Sequence, residues 1–354
     1  MRGEVMKKVL FGTTALIAAA AFAGSAQAEK IKLGIGGKQE VWFGFGDVED
    51  NAGETYSSTG MQTDTELYFT GSTTLDNGIT VKAVVQMEAD QGGGDDADET
   101  YITMSGGFGA LQLGNRQDVV MNQSWGGSDQ GGQDWDEAVG DWSPKPAGAD
   151  LEFGDTLSYS YYSSDDTSVG YTTPSFFGFS GAASYAANSN DRTKFGDWKT
   201  EGGYKDMYAV GLAFNNEFSG IGIHADVGYW NHDGSASTPD RDLIRGAAAL
   251  SYAGFELGGA YGVWDHEGDD NTIDVWQVGA GYENGPYGLD FNYTNINNEL
   301  SSDDEDIDHF KVAGKYILGP GINLTASVYH TAYDKDNGDD RDITAGLMGV
   351  ALSF

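Results

Sequence analysis

Residues 286–333 read PYGLDFNYTNINNELSSDDEDIDHFKVAGKYILGPGINLTASVYHTAY, and this stretch decides the fold. Leu289, Phe291 and Tyr293 alternate with Asp290, Asn292 and Thr294. Farther on, Ile322, Leu324, Ala326 and Val328 alternate with Asn323, Thr325, Ser327 and Tyr329. A period of two places each set on one face of a strand. Two unequal connections separate the runs: the acidic Ser301 to Asp306, and the tight turn Leu318-Gly319-Pro320-Gly321.

The same rhythm holds outward to Glu29 and Phe354. Ile79, Val81, Ala83, Val85 and Met87 oppose Thr80, Lys82, Gln86 and Glu88; the tight Asp76-Asn77-Gly78 precedes this run and the acidic 91–99 follows it. Up-and-down strands put every short turn at one end and every long loop at the other, as in a closed barrel spanning a bacterial outer membrane. A water-soluble sandwich shows the same alternation. Three features favour the barrel. Connections alternate short and long throughout, which Greek-key sandwiches do not require. Aromatic residues gather at run ends, among them Phe43, Phe45, Phe179, Trp230, Trp264, Tyr287 and Tyr316, as interfacial girdles do. The prolines fall in turns or loops, leaving the ladders free to donate.

Seventeen alternating runs are countable, and a single-chain bacterial barrel needs an even number. Residues 155–162 are the run to discard, because they end the longest interval and precede the acidic Ser163-Ser164-Asp165-Asp166. The remainder predicts an all-β, transmembrane antiparallel β-barrel of 16 strands with seven short turns and eight long loops.

The N-terminus reads as an export signal: basic Lys7-Lys8, an apolar stretch from Val9 to Ala23, and the small-residue site Ala26-Gln27-Ala28. Residues 1–28 are expected to be cleaved, leaving 29–354 as a single pore domain. No other segment approaches the roughly 20 apolar residues of a membrane helix. The chain holds 55 acidic and 19 basic residues; removing residues 1–28 takes away Glu4, Arg2, Lys7 and Lys8 and leaves a formal net charge of −38. That balance excludes nucleic acid, whose phosphates require basic patches. There is no cysteine, so an exported fold must be held by hydrogen bonds and packing, which a closed barrel supplies.

Three segments carry a family resemblance. Tyr171-Thr172-Thr173-Pro174-Ser175-Phe176-Phe177-Gly178-Phe179 resembles the turn after the constriction loop in Gram-negative general porins of alphaproteobacterial type. Lys32-Leu33-Gly34-Ile35-Gly36-Gly37, and the ending from Thr344 to Phe354, are similar to that family's first and last strands. The resemblance implies a trimeric sixteen-stranded barrel closed by its first and last strands. It implies that Phe354 is read by the outer-membrane assembly machinery, and that residues 118–166 are a third extracellular loop folded inward. The loop's content suits that role. Asp129, Asp134, Asp136, Glu137, Asp141 and Asp150 supply carboxylates, Trp125, Trp135 and Trp142 can pack it, and paired glycines permit bends.

Parity places Lys38, Lys82, Arg245 and Lys311 on the polar face, with Arg116 at the top of its strand. A lipid-facing Lys or Arg costs roughly 2–4 kcal/mol at mid-membrane, so these cations should point inward. Each either faces loop carboxylates across the pore or ties the wall together by an ion pair. Acidic mouths concentrate counter-ions, which predicts a cation-preferring diffusion channel. The segment from Asp334 to Asp340 resembles an EF-hand start, but its glycine stands fifth rather than sixth. Diffuse divalent binding between loops, or to lipopolysaccharide and lipid, fits better, and no cofactor is indicated. Rival readings are a hydrolase, a substrate-selective channel and an adhesin. His224 and Asp226 share a face but have no serine elbow or metal-spaced partner; Trp42, Tyr68, Tyr329 and Tyr333 have lumen parity but lie scattered.

Overall fold

Sixteen of the alternating runs become strands in the computed structural model. It describes residues 30–50, 53, 55–89, 97–133, 142–143, 166–189, 203–234, 238–267, 272–299, 304–336 and 340–354. In chain order the strands are β1 (Lys32–Asp50), β2 (Thr59–Thr74), β3 (Thr80–Glu88), β4 (Thr100–Gly106), β5 (Gly109–Asn115), β6 (Thr167–Thr172), β7 (Phe179–Asn188) and β8 (Lys205–Phe218). They continue with β9 (Ile221–Asp233), β10 (Arg241–Tyr252), β11 (Phe255–His266), β12 (Thr272–Asn284), β13 (Tyr287–Asn298), β14 (Glu305–Gly319), β15 (Ile322–Lys335) and β16 (Arg341–Ser353). Each pairs antiparallel with its sequence neighbours, and β1 pairs with β16 from Lys38↔Ser353 to Asp50↔Arg341, closing the barrel. Below that register, Gly37 and Phe354 exchange backbone hydrogen bonds at 2.9 and 3.0 Å. The discarded run 155–162 and the expected signal 1–28 lie outside the described residues.

Tight turns follow local chemistry. Ala253-Gly254 joins β10 to β11 with φ of 50° and 89°, both positive, as a two-residue hairpin of the primed type requires. The strands reach farther toward the long loops than the hydropathy pattern predicts. β1 runs on through Asp47, and β14 and β15 take in Asp306, Asp334 and Lys335. Backbone pairing continues past the apolar band because each hairpin partner remains opposite.

The period of two separates the faces as expected. Along β13 the burial alternates strictly at first: Leu289 and Phe291 are exposed outward, while Asp290, Asn292 and Thr294 are buried inward. Leu257, Ile244 and Val328 extend the exposed apolar band onto other strands. One expectation is corrected. Trp230 and Trp264, read as girdle residues, are buried on the inner parity, where they flank Leu243 in register and pack with Ile273, Val275, Ile296 and Ile307. A ring at a strand end satisfies the girdle pattern on either face, and only parity relative to the barrel axis tells them apart.

Candidate pore-lining site

The buried face of the wall carries glycines where another backbone comes close. After β5 the chain turns at Asp118, whose carboxylate accepts the Val120 and Met121 amides at 2.7 and 3.1 Å and the Trp230 indole at 3.0 Å. Val119 then lies over Gly170 and Val120 over Gly211; a Cβ at either glycine would come within 2.7 Å and 2.5 Å of those side chains. The track continues with Gly258 under the Trp125 ring, Gly281 against Ser128 and Gly288 against the Gln130 carbonyl. Glycine weakens a strand interior, and its usual justification there is close approach of another chain segment.

Wall side chains meet the polar backbone of this segment at intervals. Asp226 accepts the Trp125 amide at 2.9 Å while Arg245 donates to the Trp125 carbonyl at 2.5 Å, and the two side chains are themselves bridged at 3.1 Å. Asn292 does both jobs with one amide group, accepting from the Ser128 N–H and donating to its C=O, each at 2.9 Å. Asp290 accepts the Gly131 amide at 2.5 Å, and Lys311 donates to the Gln133 carbonyl at 2.6 Å. Buried polar groups of this kind need partners, and here wall and segment supply them to each other. Trp142 and Ser143 are held on β15: Tyr329 donates to the Trp142 carbonyl at 2.9 Å and Tyr333 to the Ser143 carbonyl at 3.0 Å.

Arg245 and Lys311, two of the five predicted wall cations, are thus buried beneath residues 125–133 with side-chain exposures of 0% and 1%. Parity placed them inward as expected, but their charge is spent on Asp226, Asp290 and loop carbonyls rather than facing an open lumen. The other three lie on β1, on β3 and just after β5. Lys38 bridges Asp64 at 3.0 Å and Glu66 at 2.8 Å. Arg116 stands 3.7 Å from Glu99 and stacks over Tyr101. Lys82 is half-buried on the inner parity of β3. The sequence reading passed over the carboxylates among them: Asp64, Glu66 and Glu88 bring one oxygen each within 4.8 Å of one another. Their inward parity on β2 and β3 was the available signal.

Of the predicted loop carboxylates, Asp129 is described and exposed; Asp134, Asp136, Glu137, Asp141 and Asp150 lie outside the described residues. Phe354 is exposed at the end of β16. His224 is wedged between Asn215 at 2.7 Å and Asp226 at 2.8 Å, so both ring nitrogens are engaged.

A closed sixteen-stranded barrel with an apolar outer belt and a polar inner wall defines an outer-membrane β-barrel. Residues 14–337 match the family model of the Gram-negative porins, and the chain belongs to that family. Its place is therefore the bacterial outer membrane. No curated protein matches the sequence. Among solved structures, the anion-selective porin from Comamonas acidovorans superposes with a TM-score of 0.62 at 14% identity, covering 92% of this chain and 100% of its own. OmpT of Vibrio cholerae in its trimer form gives 0.63 at 12% identity, with the same coverages. A substituted Rh. blastica porin gives 0.57 at 14%, covering 91% and 100%. At such identities the likeness is one of fold.

Proposed function

We propose that this porin is a water-filled channel for passive diffusion of small hydrophilic solutes, that it prefers cations, and that residues 118–166 form its constriction loop. The carboxylate group of Asp64, Glu66 and Glu88 on the inner wall carries the cation reading. Lys38 offsets part of it, and the acidic mouth adds the same sign. A low-dielectric passage lined by one charge enriches its counter-ion. The backbone bonds from Asp226, Arg245, Asn292, Asp290 and Lys311 support the constriction, because all five belong to the wall's buried parity. Reversal potentials of purified protein in a planar bilayer under a potassium chloride gradient test the preference, and a potential of anion-selective sign overturns it.

The homotrimer rests on strand length. β4, β5 and β6 have 7, 7 and 6 residues, short of the roughly 9–11 that cross a bilayer. Strands β7 to β14 are longer, and outward ring pairs flank them at both ends, Phe255–Tyr282 and Tyr287–Tyr316 by the turns and Trp276–Tyr293 by the loops. A wall too short to span the bilayer, with Ile102, Leu113 and Val169 exposed on its outer face, fits against neighbouring subunits. Conductance closing in three equal steps supports this, and a single step per inserted particle refutes it. Export by cleavage after Ala28, and recognition of Phe354 during assembly, complete the reading. His224 serves as a brace of Asp226 in it, not as a catalytic base.

A further inference from the structure

Trp142 occupies a place where two glycines face each other. Gly44 of β1 and Gly60 of β2 are directly paired. A Gly–Gly pair gives a ladder no cross-strand side-chain contact and the highest backbone entropy cost. The Trp142 ring fills the space: a Cβ on Gly44 would stand 2.1 Å from it, and one on Gly60 2.8 Å. The indole Nε1 donates to Gln62 on β2 at 2.5 Å, while the Trp142 carbonyl accepts from Tyr329 on β15 at 2.9 Å. Ser143 adds Tyr333 on its carbonyl and Thr331 at 3.2 Å from its hydroxyl, both on β15.

Between β15 and β2 lie only β16 and β1, the pair that closes the barrel. One residue of the 118–166 segment therefore reaches across the closing seam and is bonded on either side of it. We propose that Trp142 is a positioning residue that keys this segment into the Gly44–Gly60 notch and braces the seam, so that docking of the segment and closure of the barrel stabilise each other. This rests on the constriction reading for its effect on the channel, but not for its effect on closure.

A double-mutant cycle on the full-length protein tests the idea. Trp142→Ala and Gly44→Ala should each lower the temperature at which the folded barrel converts to its slower-migrating unfolded form on gels, and each should raise the frequency of brief channel closures. With the ring gone, Gly44→Ala has nothing to displace, so the double variant should melt where Trp142→Ala does. Additive losses, or unchanged melting in both single variants, overturn the proposal. Should Gly44→Ala fail to fold, Gln62→Ala crossed with Trp142→Phe gives the same reading through the Nε1 bond. A wild-type barrel that melts as expected yet shows no constricted conductance would defeat the constriction reading and leave the brace standing.

Discussion

Arg245 donates from Nη2 to the carbonyl oxygen of Trp125 at 2.5 Å, 120 residues away in sequence, while Asp226 takes the amide of the same residue. One ion pair thus holds both polar ends of a single residue, and it does so through the backbone alone. The side chain at that point is left to pack, which Trp125 does against Gly258 and Ala249.

Removing one half of this clamp should be worse than removing both. Arg245→Ala leaves the buried Asp226 carboxylate with the Trp125 amide and His224 but no cation, and strips the Trp125 carbonyl of its donor. Breaking a buried pair from one side costs about 3–5 kcal/mol. Urea unfolding of the refolded barrel should show a loss of that order for Arg245→Ala. The variant carrying Asp226→Ala as well should recover part of it.

The glycine track predicts a channel effect with little loss of fold. A Cβ on Gly288 would fall 1.9 Å from the Gln130 carbonyl oxygen. In Gly288→Ala the strand accepts alanine and the segment must move. Single-channel conductance should change while the barrel still migrates as folded; unchanged conductance argues that residues 118–133 do not border the passage.

Neutralising the inner-wall carboxylates should move ion preference. Asp64→Asn, Glu66→Gln and Glu88→Gln together leave Lys38, Lys82 and Arg116 on that wall. The reversal potential of the triple variant should shift toward anions relative to the parent under the same salt gradient. The Asp290–Lys311 pair, buried and opposite in sign, contributes little field, so Asp290→Asn with Lys311→Met should shift it far less.

Burial pushes the Glu99 carboxyl up to about 7, against the pull of Arg116. In the unfolded chain the group ionises near 4.5, so between those values the folded state holds the extra proton and stability falls as pH rises. Below 4.5 both states are protonated and above 7 both are ionised, so the loss is confined to that window. The difference in unfolding midpoint between wild type and Glu99→Gln should change across pH 4.5 to 7 and stay level outside it.

The outward face makes the last prediction. Val278 sits at the middle of β12 on the exposed parity. Val278→Arg should cost roughly 2–4 kcal/mol in a bilayer and Val278→Leu almost nothing, read as equilibrium folding in lipid vesicles.

The order of strands, their antiparallel pairing and the separation of turns from loops were all legible in residues such as Leu289 to Thr294, because a period of two is a local property of the backbone. Parity also put Lys38, Lys82, Arg245 and Lys311 on the inner face. Sequence could not say what each inner residue meets there. Arg245 and Lys38 share one parity and one charge, yet the first is sealed under Trp125 and the second bridges two carboxylates across β1 and β2. Trp230 and Phe179 both end strands, but one ring is buried inside and the other exposed outside. For Arg245 and Trp230 the difference comes from contacts with Trp125 and Asp118, more than a hundred positions away, which closing the sheet into a barrel brings together; for Lys38 it comes from the neighbouring strand. The chain's own pattern determined that it would be a sixteen-stranded barrel with an acidic mouth. Only the tertiary structure decided which cations hold the 118–133 segment and which glycines make room for it.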